Sequence, residues 1–195
     1  FYATREKVFA KPNDMSGGAG CEKLVISDFD SSDAFYSYIK EKNFGTIEDV
    51  IENHPDIAAI YPFSVNTLRV ITMIDAAGIP HVVYAVFKMG INGRVVDNYG
   101  LHGPLDLETG EFLYPAHSGD TTAGIHYTEH PYSNTPLIGY KVPMFDQVKE
   151  LAKKAALVVP QMRYVGWDIA ITPRGPVIIE GNNYCAHDFW QLPGQ

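Results

Sequence analysis

Apolar and polar positions alternate most clearly from Gly166 to Asn182, which reads GWDIAITPRGPVIIEGN. Two alternating runs flank Pro173-Arg174-Gly175-Pro176, a composition that turns the chain, so a hairpin is predicted. Strand side chains alternate between faces. Ile169 and Ile171 then share one face, and Asp168 and Ala170 the other. On the second run Val177 and Ile179 point one way, while Ile178, Glu180 and Asn182 point the opposite way. If Asp168 pairs across from Glu180, two carboxylates and an amide stand together, with a Val/Ile wall for the core behind them. A slip of one residue would dissolve the set.

The same reading extends along the chain. Residues 7–10 (KVFA) and 24–26 (LVI) predict short strands, joined by the loop KPNDMSGGAGCEK. Residues 31–42 predict a helix with Phe35, Tyr38 and Ile39 on one face and a Ser or Asp cap. A strand is expected at 46–51 (TIEDVI) and a short helix at 54–60, with Pro55 in its first turn. Residues 67–74 (TLRVITMI) and 81–88 (HVVYAVFK) are strong strand signals. Residues 95–103 and 104–115 follow, the latter with a turn at 108–111. Residues 116–140 look loop-like, and 144–159 form the clearest helix, with Phe145, Val148, Leu151, Ala152, Ala155 and Val159 as its apolar stripe.

Composition narrows the picture. The 195 residues suffice for one large domain or two small lobes, and 46% hydrophobic with 19% charged residues excludes a disordered chain. A net charge of −8 argues against a general binder of nucleic acid or anionic membrane, although a local basic pocket can still hold phosphates. No apolar run reaches membrane-spanning length and no signal peptide is visible. Cys21 and Cys185 make no disulfide framework, and the expectation is a cytoplasmic protein without a membrane partner.

Three groups of residues carry candidate chemistry. Asp168, Glu180 and Asn182 offer the all-oxygen donor set that a hard cation such as Mg²⁺ takes. Gly17, Gly18 and Gly20 lack a Cβ, so the loop backbone can turn N–H groups toward phosphate oxygens, with the Lys11 ammonium beside them. The loop lacks the spacing of a P-loop, and a solvated surface hairpin is the alternative. Arg69 and Lys88 interrupt apolar strands, so each needs an anionic partner: a structural carboxylate, or a phosphate or carboxylate ligand. The main chain over Glu48, Asp49, Val50 and Ile51 is placed to read an adenine edge, or is an ordinary strand. Asp97 and Asn98 either line a substrate site or make a turn. His126 and His130 have the i, i+4 spacing of a helical zinc site, but HYTEHPYSNTP does not read as a helix, which disfavours zinc.

Taken together, KPNDMSGGAG, SVNTLRV, VDNYG and above all VGWDIAITPRGPVIIEGNN resemble the ATP-grasp superfamily, most closely its sugar-transfer-associated branch and more distantly the ribosomal-protein glutamate ligases. The resemblance implies an α+β fold of two lobes with antiparallel sheets, residues 1–62 and 63–195, enclosing a nucleotide. It implies ATP as cofactor with Mg²⁺, or Mn²⁺ in its place. Lys11 and Gly17, Gly18 and Gly20 match the phosphate-binding lysine and the closing loop. Residues 48–51 match the adenine-reading strand, and Arg69 the arginine of the phosphate and acyl-phosphate pocket. Lys88 stands where relatives often have a second arginine. Asp168, Glu180 and Asn182 match the metal ligands. The implied reaction activates a carboxylate as an acyl-phosphate and joins it to an amine, less often a thiol, in a sugar-modification or surface-polysaccharide pathway. The substrates are thus a small carboxylate and a small amine. The family's N-terminal domain and its earlier lysine do not precede the glycine loop here, so a fragment that binds nucleotide without turnover is also expected. The rival functions are a phosphotransferase using the same site and a non-catalytic nucleotide-binding module.

Overall fold

The computed structural model describes residues 4–15, 18–183 and 185. The chain forms two compact units, residues 1–51 and 52–195. Each contains antiparallel sheet and helix, the α+β class expected from the sequence.

In the first unit, strands β1 (Lys7–Pro12), β2 (Glu22–Val25) and β3 (Phe44–Asp49) form a sheet in the order β2-β1-β3. Helix α1 (Ser32–Glu41) starts where the Ser31 side chain accepts a hydrogen bond from the Ala34 N–H at 3.1 Å. Its Phe35 and Ile39 pack with Val8, Ala10, Leu24 and Phe44 in a small core. Strand alternation therefore turns Phe9 and Lys11 to the other face of β1. β3 stops at Asp49, short of the Ile51 expected, because its ladder partner runs out: Asp49 pairs Val8, next to the start of β1.

The second unit is built on a seven-stranded sheet in the order β10-β9-β4-β5-β6-β7-β8. The strands are β4 (Thr67–Ile74), β5 (Pro80–Met89), β6 (Leu101–Pro104), β7 (Ala116–Ser118), β8 (His126–Tyr127), β9 (Tyr164–Thr172) and β10 (Gly175–Asn182). The stretch at 116–140, which reads as loop, thus supplies two short edge-side strands. Their two- and three-residue lengths leave almost no alternation to detect. Helix α2 (Pro55–Ile60), which the sequence groups with the first lobe, packs Ile57 and Ile60 into the core of the second unit.

Helix α3 (Phe145–Ala156) covers the same core with Phe145, Val148 and Ala152. It is shorter than its apolar stripe implies. Met144 has φ 55°, outside helical geometry, and Pro160 lies ahead, which disfavours helix in the residue before it. Val158 and Val159, left beyond the helix end, are exposed.

One face of the large sheet is apolar: Leu68, Val70, Ala85, Phe87, Met89, Leu101, Ile169 and Ile171 are fully buried there. Gly103 belongs to this face, paired with Phe87, and Phe112 lies over it edge-on to Phe87 at 6.1 Å between ring centroids. A Cβ at Gly103 would sit 1.8 Å from Phe112 Cε1. Gly103→Ala is therefore expected to cost about 1–3 kcal/mol by overpacking. A thermal melt should register this as a fall of roughly 2–10 °C in Tm, and an unchanged melt would show that Phe112 has room to move.

Candidate functional site

The hairpin expected at 166–182 is present, and its register is the one that matters. Glu180 pairs directly with Asp168, and Asn182 with Gly166. Directly paired residues in an antiparallel ladder share a face. The face assignment of the strand between them differs from simple alternation. Val177 pairs Ala170 and Ile178 pairs Ile169, so Ile178 joins the core face and Val177 turns outward, 41% exposed. A bulge between Ile178 and Glu180 then resets the alternation. It is this extra residue, Ile179, that brings Glu180 to the face of Asp168. The turn is also tighter than the Pro-Arg-Gly-Pro run implies. Thr172 pairs Gly175, and Pro176 lies inside β10, tolerated because β10 is an edge strand.

Across the sheet Asp168 pairs Arg69 of β4, and Thr67 of β4 pairs Lys88 of β5. These residues therefore stand on the one face that lacks the apolar core. Arg69 grips Asp168 in a two-pronged contact, Nε to Oδ1 and Nη2 to Oδ2, the latter at 3.0 Å. Lys88 Nζ lies 3.4 Å from Asp168 Oδ2 and 3.4 Å from Asp97 Oδ1. Asp97 is held in turn by the Thr67 N–H, which donates to Oδ2 at 2.9 Å, and by the Thr67 hydroxyl. Asp168, Asp97 and Lys88 are all buried.

Burial sets the protonation energetics. It works against a charged Asp168, but hydrogen bonds from Arg69 and the charges of Lys88 and Arg69 outweigh it and hold the carboxyl below its usual range. Burial also works against the charged Arg69, and the Asp168 contact overcomes it, raising the guanidinium further. Asp97 shifts the other way: burial dominates over Lys88 and Thr67 and raises its pKa.

The same face continues outward from Lys88. Lys88 pairs His102, His102 pairs His117, and His117 pairs His126, so one row crosses four strands. Burial first, then the charges of Lys88 and Arg69, push the His102 pKa down to about 3, so this imidazole is neutral at pH 7. His117 and His126 stack edge to face at 4.6 Å. His130 is in a different setting: fully buried, with Nε2 2.9 Å from the Gly90 carbonyl. LHGP is too short to show the alternation that would single out His102. Local sequence leaves Asp97 open between a turn residue and a pocket residue, because the partners that decide, Thr67 and Lys88, lie far away in sequence.

The donor set fits an oxygen-loving cation. Asp168, Glu180 and Asn182 are two carboxylates and one amide, and Glu180 is exposed. A carboxylate has about four acceptor directions. Arg69 and Lys88 take three of those on Asp168, so Asp168 has room for one metal contact, not two. The Asn182 amide donates to Glu180 Oε1 at 3.1 Å, and turning it over presents its oxygen instead. Among the described residues, no group of three or more His, Cys, Asp and Glu side chains is gathered to hold a metal. Gly166, beside the cluster, leaves space that the site uses: a Cβ there would meet Cys185 Sγ at 2.9 Å and Arg69 Cδ at 3.1 Å.

In the first unit, Lys11 lies on the face of β1 away from the core and forms an ion pair with Glu48, Nζ to Oε2 2.7 Å. Asp49 pairs with Arg5, and Val50 and Ile51 lie beyond the end of β3. β3 is an edge strand, so its outer main-chain groups are not engaged in a ladder among the described residues. Gly18 and Gly20 both have positive φ, 77° and 69°, which glycine adopts without strain. Gly17 lies outside the described residues. The candidate residues thus gather as two sets: Lys11 with Glu48 in the first unit, and Arg69, Lys88, Asp168, Glu180 and Asn182 on one sheet face of the second.

No helix among the described residues is long and apolar enough to cross a membrane. No curated protein matches the chain. The model of a protein family described as sugar-transfer associated ATP-grasp matches residues 22–195, a span that holds the whole polar face of the large sheet and begins after Lys11 and the glycine loop. With that match over most of its length, and with the acid–acid–amide hairpin in register behind an arginine and a lysine, the chain belongs to the sugar-transfer associated ATP-grasp family.

Proposed function

We propose that this protein is an ATP- and Mg²⁺-dependent ligase that activates a small carboxylate as an acyl-phosphate and joins it to an amine, in the modification of sugars or of a surface polysaccharide. Family membership supports ATP-dependent, ligase-type chemistry in a sugar-transfer setting. The observation that carries the finer reading is the convergence of Arg69, Lys88, Asp168, Glu180 and Asn182 on one face of one sheet.

Asp168, Glu180 and Asn182 would hold the metal. When bound, Mg²⁺ neutralises charge on the transferring phosphoryl group. In the first step a substrate carboxylate oxygen attacks the γ-phosphorus, the bond from that phosphorus to the bridging oxygen breaks, and ADP leaves. The amine nitrogen then attacks the acyl carbon, the carbon–oxygen bond to phosphate breaks, and phosphate leaves as the nitrogen gives up a proton. Arg69 is anchored by Asp168, and its planar guanidinium is the shape that suits phosphate or carboxylate oxygens. Lys88 adds a second positive charge next to it. Positive charge fixed before the phosphoryl group moves is the protein's main contribution to such a reaction. In the first unit, Lys11 is the phosphate-binding candidate, with Glu48 as the partner that a phosphate would replace.

Calorimetric titration with ADP, with and without Mg²⁺, tests the nucleotide site. Binding is expected to need Mg²⁺, and Glu180→Gln and Lys11→Ala are each expected to weaken it by roughly tenfold to a hundredfold, the loss of one charge-assisted contact. Metal-independent binding that survives both substitutions would remove Glu180 and Lys11 from the site. The reaction class has its own test. A panel of amino acids, hydroxy acids and sugar acids is incubated with Mg-ATP and hydroxylamine. An acyl-phosphate appears as a hydroxamate in step with ADP release, whereas a stable phosphoester with no hydroxamate would reassign the protein as a phosphotransferase.

A further inference from the structure

The polar face holds one buried carboxylate to which the chemistry above gives no part. Asp97 lies in the segment after the bridge between Val65 and Val96 and is 6% exposed. One of its oxygens is fixed by the Thr67 N–H and hydroxyl, the other faces Lys88. Thr67 and Lys88 are direct cross-strand partners, so the three residues form a closed triangle on one face. The Lys88 ammonium hangs between two anchored carboxylates, Asp97 held by Thr67 and Asp168 held by Arg69.

The distances carry the argument. Charge-assisted contacts of this kind close to about 2.7–2.9 Å when one partner captures the other. Both Lys88 contacts stand at 3.4 Å. The ammonium is shared at equal distance between the two carboxylates, donating a long hydrogen bond to Asp168. An ammonium has three N–H donors, and the two carboxylates fix two of its directions. Without Asp97, the only carboxylate facing Lys88 among these groups is Asp168, the proposed metal ligand.

We infer that Asp97 is a positioning residue: it suspends the Lys88 ammonium beside Asp168 so that the ammonium meets the terminal phosphoryl group of a bound nucleotide. The inference rests on the ATP reading above, since the metal at Asp168 is what would bring that phosphoryl group to Lys88.

The test compares two probes in the presence of Mg²⁺: ADP and the β,γ-imido analogue of ATP, titrated into this chain by calorimetry. The unaltered chain is expected to prefer the analogue. Asp97→Asn is expected to lower that preference by about tenfold, the loss of one charge-assisted contact, and Asp97→Glu to restore part of it. A purely structural role would lower the melting temperature, or weaken both probes alike, without moving their ratio. If Asp97→Asn does not fold, Thr67→Val, which removes the hydroxyl donor and keeps the carboxylate, must lower the same ratio. A folded Asp97→Asn chain with the original ratio overturns the inference, as does an unaltered chain that binds both probes equally with Mg²⁺. An unaltered chain that binds neither probe overturns the ATP reading itself, and the inference with it.

Discussion

The large sheet is organised around the Asp168 carboxylate. A buried carboxylate is tolerated only with good partners, and removing one partner of such a pair leaves an uncompensated charge. Asp168 has Arg69 on the neighbouring strand and Lys88 one strand further. Because side chains alternate, a one-residue slip of β4 against β9 would turn Arg69 to the core face beside Ile169 and strand Asp168 without its cation. The ion pair and the apolar face therefore specify the same register. Each penalises the same error, which is why three strands carrying charges in their interior can still pair in a single way.

The two faces of the sheet divide the work. Stability comes from the face that α2 and α3 cover, where Phe87, Phe112, Val148 and Ile169 are essentially inaccessible to water. The opposite face carries the ionisable row from Glu180 through Asp168, Arg69 and Lys88 to the histidines. A bulge lets one strand serve both. Ile178 packs toward the core, and two residues later Glu180 stands beside Asp168 on the opposite face, whereas an unbroken ladder would put both on the core face.

That bulge marks where local pattern stopped being informative. The hairpin, the facing of Asp168 to Glu180 and the role of Ile169 and Ile171 were legible, because alternation and turn composition are properties of neighbouring residues. The side taken by Val177 and Ile178 was not, since a bulge has no reliable signature in a run such as PVIIEGN. The end of α3 was misread for a related reason: an apolar stripe continues through Leu157 to Val159, but Pro160 stops the backbone first. β7 and β8 were hidden by their shortness. Asp97 shows the strongest limit. Its local sequence, VDNYG, leaves a turn and a substrate-site position both open, and only the fold reveals that Thr67 and Lys88 meet it.

The charges on this face also constrain what it can bind. Arg69 and Lys88 are two cations against the three carboxylates of Asp97, Asp168 and Glu180, in a chain whose net charge is −8. A polyphosphate approaching such a face meets no surplus of positive charge from these residues, however well Arg69 and Lys88 are aimed. A divalent cation, if held by Glu180, Asn182 and the remaining acceptor of Asp168 as proposed, would reverse that balance where phosphate oxygens would arrive. On this arrangement, metal and nucleotide are not independent ligands. On the proposed reading, the protein's own carboxylates disfavour free anions at this face, and a bound metal would offset them.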